Sequence, residues 1–166
     1  MTPEFHRPRT IASLAPGGET VAIAARSAER AALARRFDLP TISHLAARFH
    51  LRPESGGGVA VKARLLARVT QICVVSLAPF SHIIDETFLL RFVPAGREAE
   101  GDDPEAVDTI GVSDGAIDLG EAAAEQLALL LDPYPRAPGA ELPAPYADGN
   151  AEQAGAFAAL RALRKK

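Results

Sequence analysis

Two neighbouring stretches alternate so strictly between apolar and polar residues that little choice of local structure is left to them. From His44 to Arg52 the odd positions are Leu45, Ala47, Phe49 and Leu51, and the even ones include His44, Arg48, His50 and Arg52. From Val59 to Val69 the odd positions are again apolar (Val59, Val61, Ala63, Leu65, Ala67, Val69), and the even ones include Lys62, Arg64 and Arg68. A period of two belongs to a strand with one face in a core and the other in water. Between them, Pro53-Glu54-Ser55-Gly56-Gly57-Gly58 has the composition of a hairpin loop. Both strands must bury their odd residues, so like parity pairs with like, and one such register sets Arg48 opposite Arg64 and His50 opposite Lys62. The outward face then gathers Arg48, His50, Arg52, Lys62, Arg64 and Arg68, with no carboxylate from either strand. Like charges across a hairpin weaken it slightly, so a surface selected for stability alone would mix signs there.

Elements on either side extend this sheet. Pro3 and Pro8 limit the first ten residues to an edge strand. Pro16-Gly17-Gly18 is a turn, and 20–25 is a short buried strand. Ser27 is suited to cap a helix over 28–37, with Leu33 and Phe37 on its inner face. After Val69, QICVVSL (71–77) and SHIIDETFLLRFV (81–93) read as consecutive antiparallel strands joined around Pro79. Ile84, Phe88, Leu90 and Phe92 point one way along the second of these. The acidic, glycine-bearing stretch from about 95 to 116 reads as a flexible loop. Asp118-Leu119-Gly120-Glu121 has the form of a capping box ahead of a helix over 122–131, with Ala123, Leu127 and Leu130 inward. Residues 133–166 are a flexible Pro/Ala-rich tail ending in a short basic amphipathic segment. The expected fold is a single α+β domain over 1–132. It consists of an antiparallel β-meander, or a small partly closed barrel, packed with two helices.

The 166 residues suffice for one real core, which Val, Leu, Ile and a few Phe must build because there is no Trp. A single cysteine excludes an intrachain disulfide. Nothing has the spacing of a zinc site, and His44 and His50 lie about 20 Å apart along one strand, too far to share a metal. No metal or other cofactor is expected. No phosphate loop, dinucleotide fingerprint or nucleophile elbow is present. MTPEFHRPRT lacks an apolar leader core and no window reaches the length of a membrane span, so a cytoplasmic protein is expected.

The candidate chemistry is sparse. Cys73 would need a base and an open electropositive setting to act as a nucleophile, and its parity instead sets it in the core. Asp85 and Glu86 are adjacent on a strand and face opposite sides, so they cannot act as an acid–base pair. Glu86 shares the parity of Ile84 and Phe88, which suggests a partnered, buried carboxylate or one at a barrel end. No catalytic residue is assigned.

A net charge of −3 conceals a division along the chain. Residues 1–94 hold 12 Lys/Arg against 7 Asp/Glu, whereas 95–132 hold one arginine against 11 acids. The first part can meet a polyanion although the whole is acidic. Arginine forks suit phosphate, and Arg161, Arg164 and Lys165 near the C-terminus offer a second contact. No aromatic pair is interleaved with the basic face, so backbone and shape recognition is expected over base stacking. The plainer alternative is an ordinary solvated face in a chain with 15 Arg and 3 Lys.

The order of pieces resembles the YceD family, and within it the alphaproteobacterial branch. The resemblance rests on Ala60 to Ala67, on QICVVSLAPF followed by IIDETFLLRFVP, on IDLGEAAAEQLALLLDPYPR and on the closing FAALRALRKK. Its motif residues here are Cys73, Pro79, Glu86, Phe88, Asp118, Leu119, Gly120 and Glu121. The resemblance implies a non-enzymatic role in accumulation of large-subunit (23S) rRNA, with rRNA or a pre-ribosomal particle as partner. Members are often encoded beside a small large-subunit ribosomal protein. The alternative is an adaptor that holds a basic ribosomal protein through the acidic loop, since so acidic a segment suits a cationic partner as readily as the basic part suits RNA. Many relatives carry a second cysteine soon after the first and more after the last helix. Here those places read Val74-Val75-Ser76 and PRAPGAELPAPY, so zinc binding does not carry over. No oligomeric state follows from the sequence.

Overall fold

The structure is a computed structural model that describes residues 3–97 and 107–142. The alternating stretches form the two long strands at its centre, β3 (Thr41–Pro53) and β4 (Val59–Ile72). With β2 (Glu19–Ala24), β5 (Pro79–Pro94) and β6 (Asp108–Val112) they make a five-stranded sheet in the order β2-β3-β4-β5-β6. A separate two-stranded ribbon pairs β1 (Pro8–Thr10) with β7 (Ala116–Asp118). Two helices, α1 (Ser27–Arg36) and α2 (Leu119–Leu130), complete the α+β fold.

The register anticipated from parity is the one observed. Arg48 lies across from Arg64 and His50 across from Lys62. Leu45, Ala47, Phe49 and Leu51 of β3 and all six odd residues from Val59 to Val69 of β4 are buried in one cluster. Buried Ile42 lies on the other parity, and the register shift between Ile42 and His44 accounts for it, because a bulge adds a residue and reverses the alternation. In the hairpin loop Gly56 and Gly57 both have φ +83°, a conformation that costs glycine nothing. Helix α1 packs on β3, and α2 packs on β4 and β1.

Four expectations need correction. β4 ends at Ile72, and Cys73 to Ala78 is a turn, closed by the Cys73 N–H on the Ala78 carbonyl (2.9 Å) and the Leu77 N–H on the Cys73 carbonyl (2.8 Å). Leu77 sits at φ +56° to make it, so the apolar 74–77 run is not strand. Pro79 opens β5 opposite Ile72, a strand-first position that needs no N–H. The acidic loop contains β6, which pairs in parallel with Leu90–Pro94; the sheet is thus mixed, and its linear strand order is not a closed barrel. The cap of α1 is Arg26 rather than Ser27, its N–H donating to Glu29 Oε2 at 2.6 Å. Residues 98–106 of the acidic loop lie outside the described residues.

The chain beyond Pro133, read from sequence as a tail, first returns to the sheet. Pro135 is buried, its carbonyl accepts the Val74 N–H at 2.8 Å, and the Asp132 carbonyl accepts from the Gln71 side chain at 3.0 Å.

Candidate nucleic-acid interface

Among the described residues no helix covers the side of the sheet that faces away from the core, where Arg48, Lys62, Arg64, Leu66 and Arg68 are exposed, and its cross-strand rows can be read from the register. One row runs Arg52–Ala60–Arg91, the next His50–Lys62–Leu89, then Arg48–Arg64–Thr87, and His44–Arg68–Ile83 lies further along. All six cations anticipated there, Arg48, His50, Arg52, Lys62, Arg64 and Arg68, are exposed. The periodicity of two strands thus brings them onto one surface.

β5 changes the charge balance of that surface. Asp85, one row from Arg64, takes the Arg64 Nε and Nη2 donors at 2.7 and 2.6 Å. The bidentate bond, with the attraction between the charges, raises the Arg64 pKa and lowers that of Asp85. Both groups remain wet (side chains 68% and 39% exposed), so the pair adds little stability, but it occupies the fork of one arginine. Glu54 likewise holds Arg91 through Nε at 2.8 Å and Nη2 at 3.0 Å. Thr20 Oγ1 and His50 Nδ1 are 2.8 Å apart. Arg48, Arg52, Lys62 and Arg68 make no ion pair among the described residues. Arg91 falls on the outward parity of β5, and the β4–β5 register sets it opposite Ala60 at the border of the same surface. Arg161, Arg164 and Lys165 lie outside the described residues.

The motif residues divide between turn, sheet and cap. Cys73 is fully buried at the end of β4, although its sulfur is not in apolar surroundings. The Ser76 N–H reaches Sγ at 3.4 Å. The Ser76 hydroxyl foremost, then the N–H groups of Ser76, Ala137 and Val75, bring the thiol down to about 6 against the opposing effect of burial. No base stands with it in that set of contacts. Phe88 meets Phe49 edge to face at 6.3 Å between centroids. Glu86 is exposed, contrary to the buried or barrel-end carboxylate its parity suggested. β6 covers β5 only at Leu90–Pro94, so Glu86 lies on the stretch of β5 that β6 leaves unpaired, where a core-side position still meets water.

Asp118 caps α2 as anticipated, its Oδ1 accepting from the N–H groups of Gly120 (3.0 Å) and Glu121 (3.3 Å). The same oxygen takes the Arg7 N–H at 2.7 Å, and Oδ2 meets His6 Nδ1 at 2.5 Å. Burial acts to raise the Asp118 pKa, but the Arg7, His6, Glu121 and Gly120 donors together leave it below the usual carboxylate value. Glu121 turns to Arg36, at 2.7 and 3.1 Å, instead of closing the box. Leu119 is fully buried. These residues hold the helix and the N-terminal segment together.

Among the described residues no group of three or more His, Cys, Asp or Glu is placed to hold a metal ion. No described helix is long and apolar enough to cross a membrane. A family model described as large ribosomal RNA subunit accumulation protein YceD matches residues 61–164, from β4 through α2 and beyond. No curated protein and no solved structure matches the chain.

Proposed function

The chain belongs to the YceD family, and from that premise we propose that it is a non-enzymatic factor in the accumulation of large-subunit (23S) rRNA. It binds the backbone of rRNA, free or in an assembling particle, with the outward face of β3 and β4. The observation that carries this reading is the exposed sheet face, on which Arg48, Arg52, Lys62 and Arg68 form no ion pair among the described residues. Unpaired cations on a strand lattice suit a row of phosphates, since neutralising each one releases condensed counterions. The basic C-terminal segment with Arg161, Arg164 and Lys165 adds a second contact. Such work places the protein in the cytoplasm.

The segregated charge favours a second reading, an adaptor that holds a basic ribosomal protein through the acidic part of the chain, where residues 95–132 carry 11 acids and one arginine. Ultraviolet crosslinking in growing cells, with identification of the attached peptides and their partners, separates the two. The expected result is 23S rRNA attached to peptides of β3 and β4. Attachment solely to a ribosomal protein through the acidic segment would contradict the RNA reading.

A further inference from the structure

The row Arg52–Ala60–Arg91 sets the smallest side chain of its neighbourhood between two arginines. The result is a depression at one end of the basic face. It extends as a groove of about 400 Å³ toward Lys62, Leu89 and Val107, and as a second of about 650 Å³ toward the hairpin loop and Arg97. The size is that of a small-molecule site. Its composition differs from the rest of the surface. Leu89 and Val107 are 53% and 43% exposed, which gives the groove an apolar wall inside a cationic rim.

Arg91 has a particular part in it. Glu54 grips its Nε and Nη2 edge, which occupies the side-on fork of the guanidinium and orients its plane. A fixed guanidinium plane is a platform on which an unstacked base can lie, as an aromatic ring would be. Arg52 and Lys62 line the same groove and make no ion pair among the described residues. We propose that this groove takes one unpaired nucleotide of a single-stranded RNA segment. The base lies against Arg91, Leu89 and Val107, and the adjoining phosphate is held by Arg52 and Lys62. Among the described residues no Phe, Tyr or Trp stands on this face, and the Glu54-held arginine supplies the stacking surface in their place. Stacking of this kind tolerates any base, so the groove selects for strandedness rather than sequence. A duplex cannot use it, because its bases are already stacked.

The inference rests on the RNA reading above, and its test keeps the two apart. Ala60→Leu fills the depression without altering charge, and Leu89→Ser removes apolar wall. Both positions are on the solvent side of the sheet, and an unchanged unfolding midpoint verifies the fold. Binding is measured to a short unstructured RNA strand and to an RNA duplex of equal length. Each variant is expected to lose about tenfold in affinity for the single strand, the order of one stacked base, with duplex affinity kept within about twofold. Equal effects on both RNAs, or none on either, overturn the groove, and the RNA reading still stands if Arg48→Glu with Arg68→Glu weakens both. Wild-type protein that binds neither RNA overturns both.

Discussion

Cys73 leaves β4 on its buried side, and the turn that follows folds N–H groups and the Ser76 hydroxyl back toward its sulfur. A buried thiol in apolar surroundings would hold its proton more tightly. Here the donors win and the thiol falls to about 6. The sign of the linkage follows. A group whose pKa is lower in the folded protein contributes stability that is full above its unfolded value, about 8.5 for cysteine, and is lost as the pH falls through about 6. The stability of the wild type relative to Cys73→Ala is therefore expected to grow between pH 6 and 9 in chemical denaturation. A difference that stays constant over that range contradicts the account of the turn. Parity showed that Cys73 points inward. It did not show the donors, because Ser76 and Ala137 approach through a turn and through a segment more than sixty residues further on. The same blindness hid the partner of Arg64, since Asp85 reaches it only once β5 is in register.

Helix α2 starts where the N-terminal segment crosses it. Phe5 is fully buried, the Arg7 carbonyl accepts the Leu119 N–H at 3.1 Å, and Asp118 holds both His6 and the Arg7 N–H. Gly120 permits this approach, because a Cβ there would stand 2.0 Å from the Phe5 carbonyl oxygen. Helix propensity alone would have Gly120→Ala stabilise by about 1 kcal/mol. The contact with backbone reverses the sign, and a loss on the order of 1–3 kcal/mol is expected from overpacking. A urea midpoint that rises in Gly120→Ala would contradict the crossing. At this scale the long alternating strands were legible down to their register, since a slip by one residue would expose the whole of β3. β6 was not. Asp108-Thr-Ile-Gly-Val has only two large apolar side chains, follows a run of acids, and pairs in parallel with a strand to which no short turn connects it. Such a strand is defined by its neighbour rather than by its own pattern.

Across the whole molecule one side of the sheet closes on the core and the other carries charge. The helices meet the core side at β3 and β4, leaving the outward rows of the same strands to water. The sequence told which residues share that face. It did not tell which of them stay unpaired, because Asp85 and Glu54 come from β5 and from the hairpin loop, and each takes one arginine out of play. Four cations, Arg48, Arg52, Lys62 and Arg68, remain without ion pairs among the described residues. If each meets one phosphate, these four contribute about −3 to the slope with which the logarithm of the affinity for single-stranded RNA falls with that of the salt concentration. The direct measurement is this slope for a 23S rRNA fragment, taken for the wild type and for a folded variant with Arg48→Glu and Arg68→Glu. The account predicts a slope shallower by at least about 1 in the variant, with affinity at least about tenfold weaker at low salt. An unchanged slope and an unchanged affinity would show that the basic sheet face is not where the RNA binds.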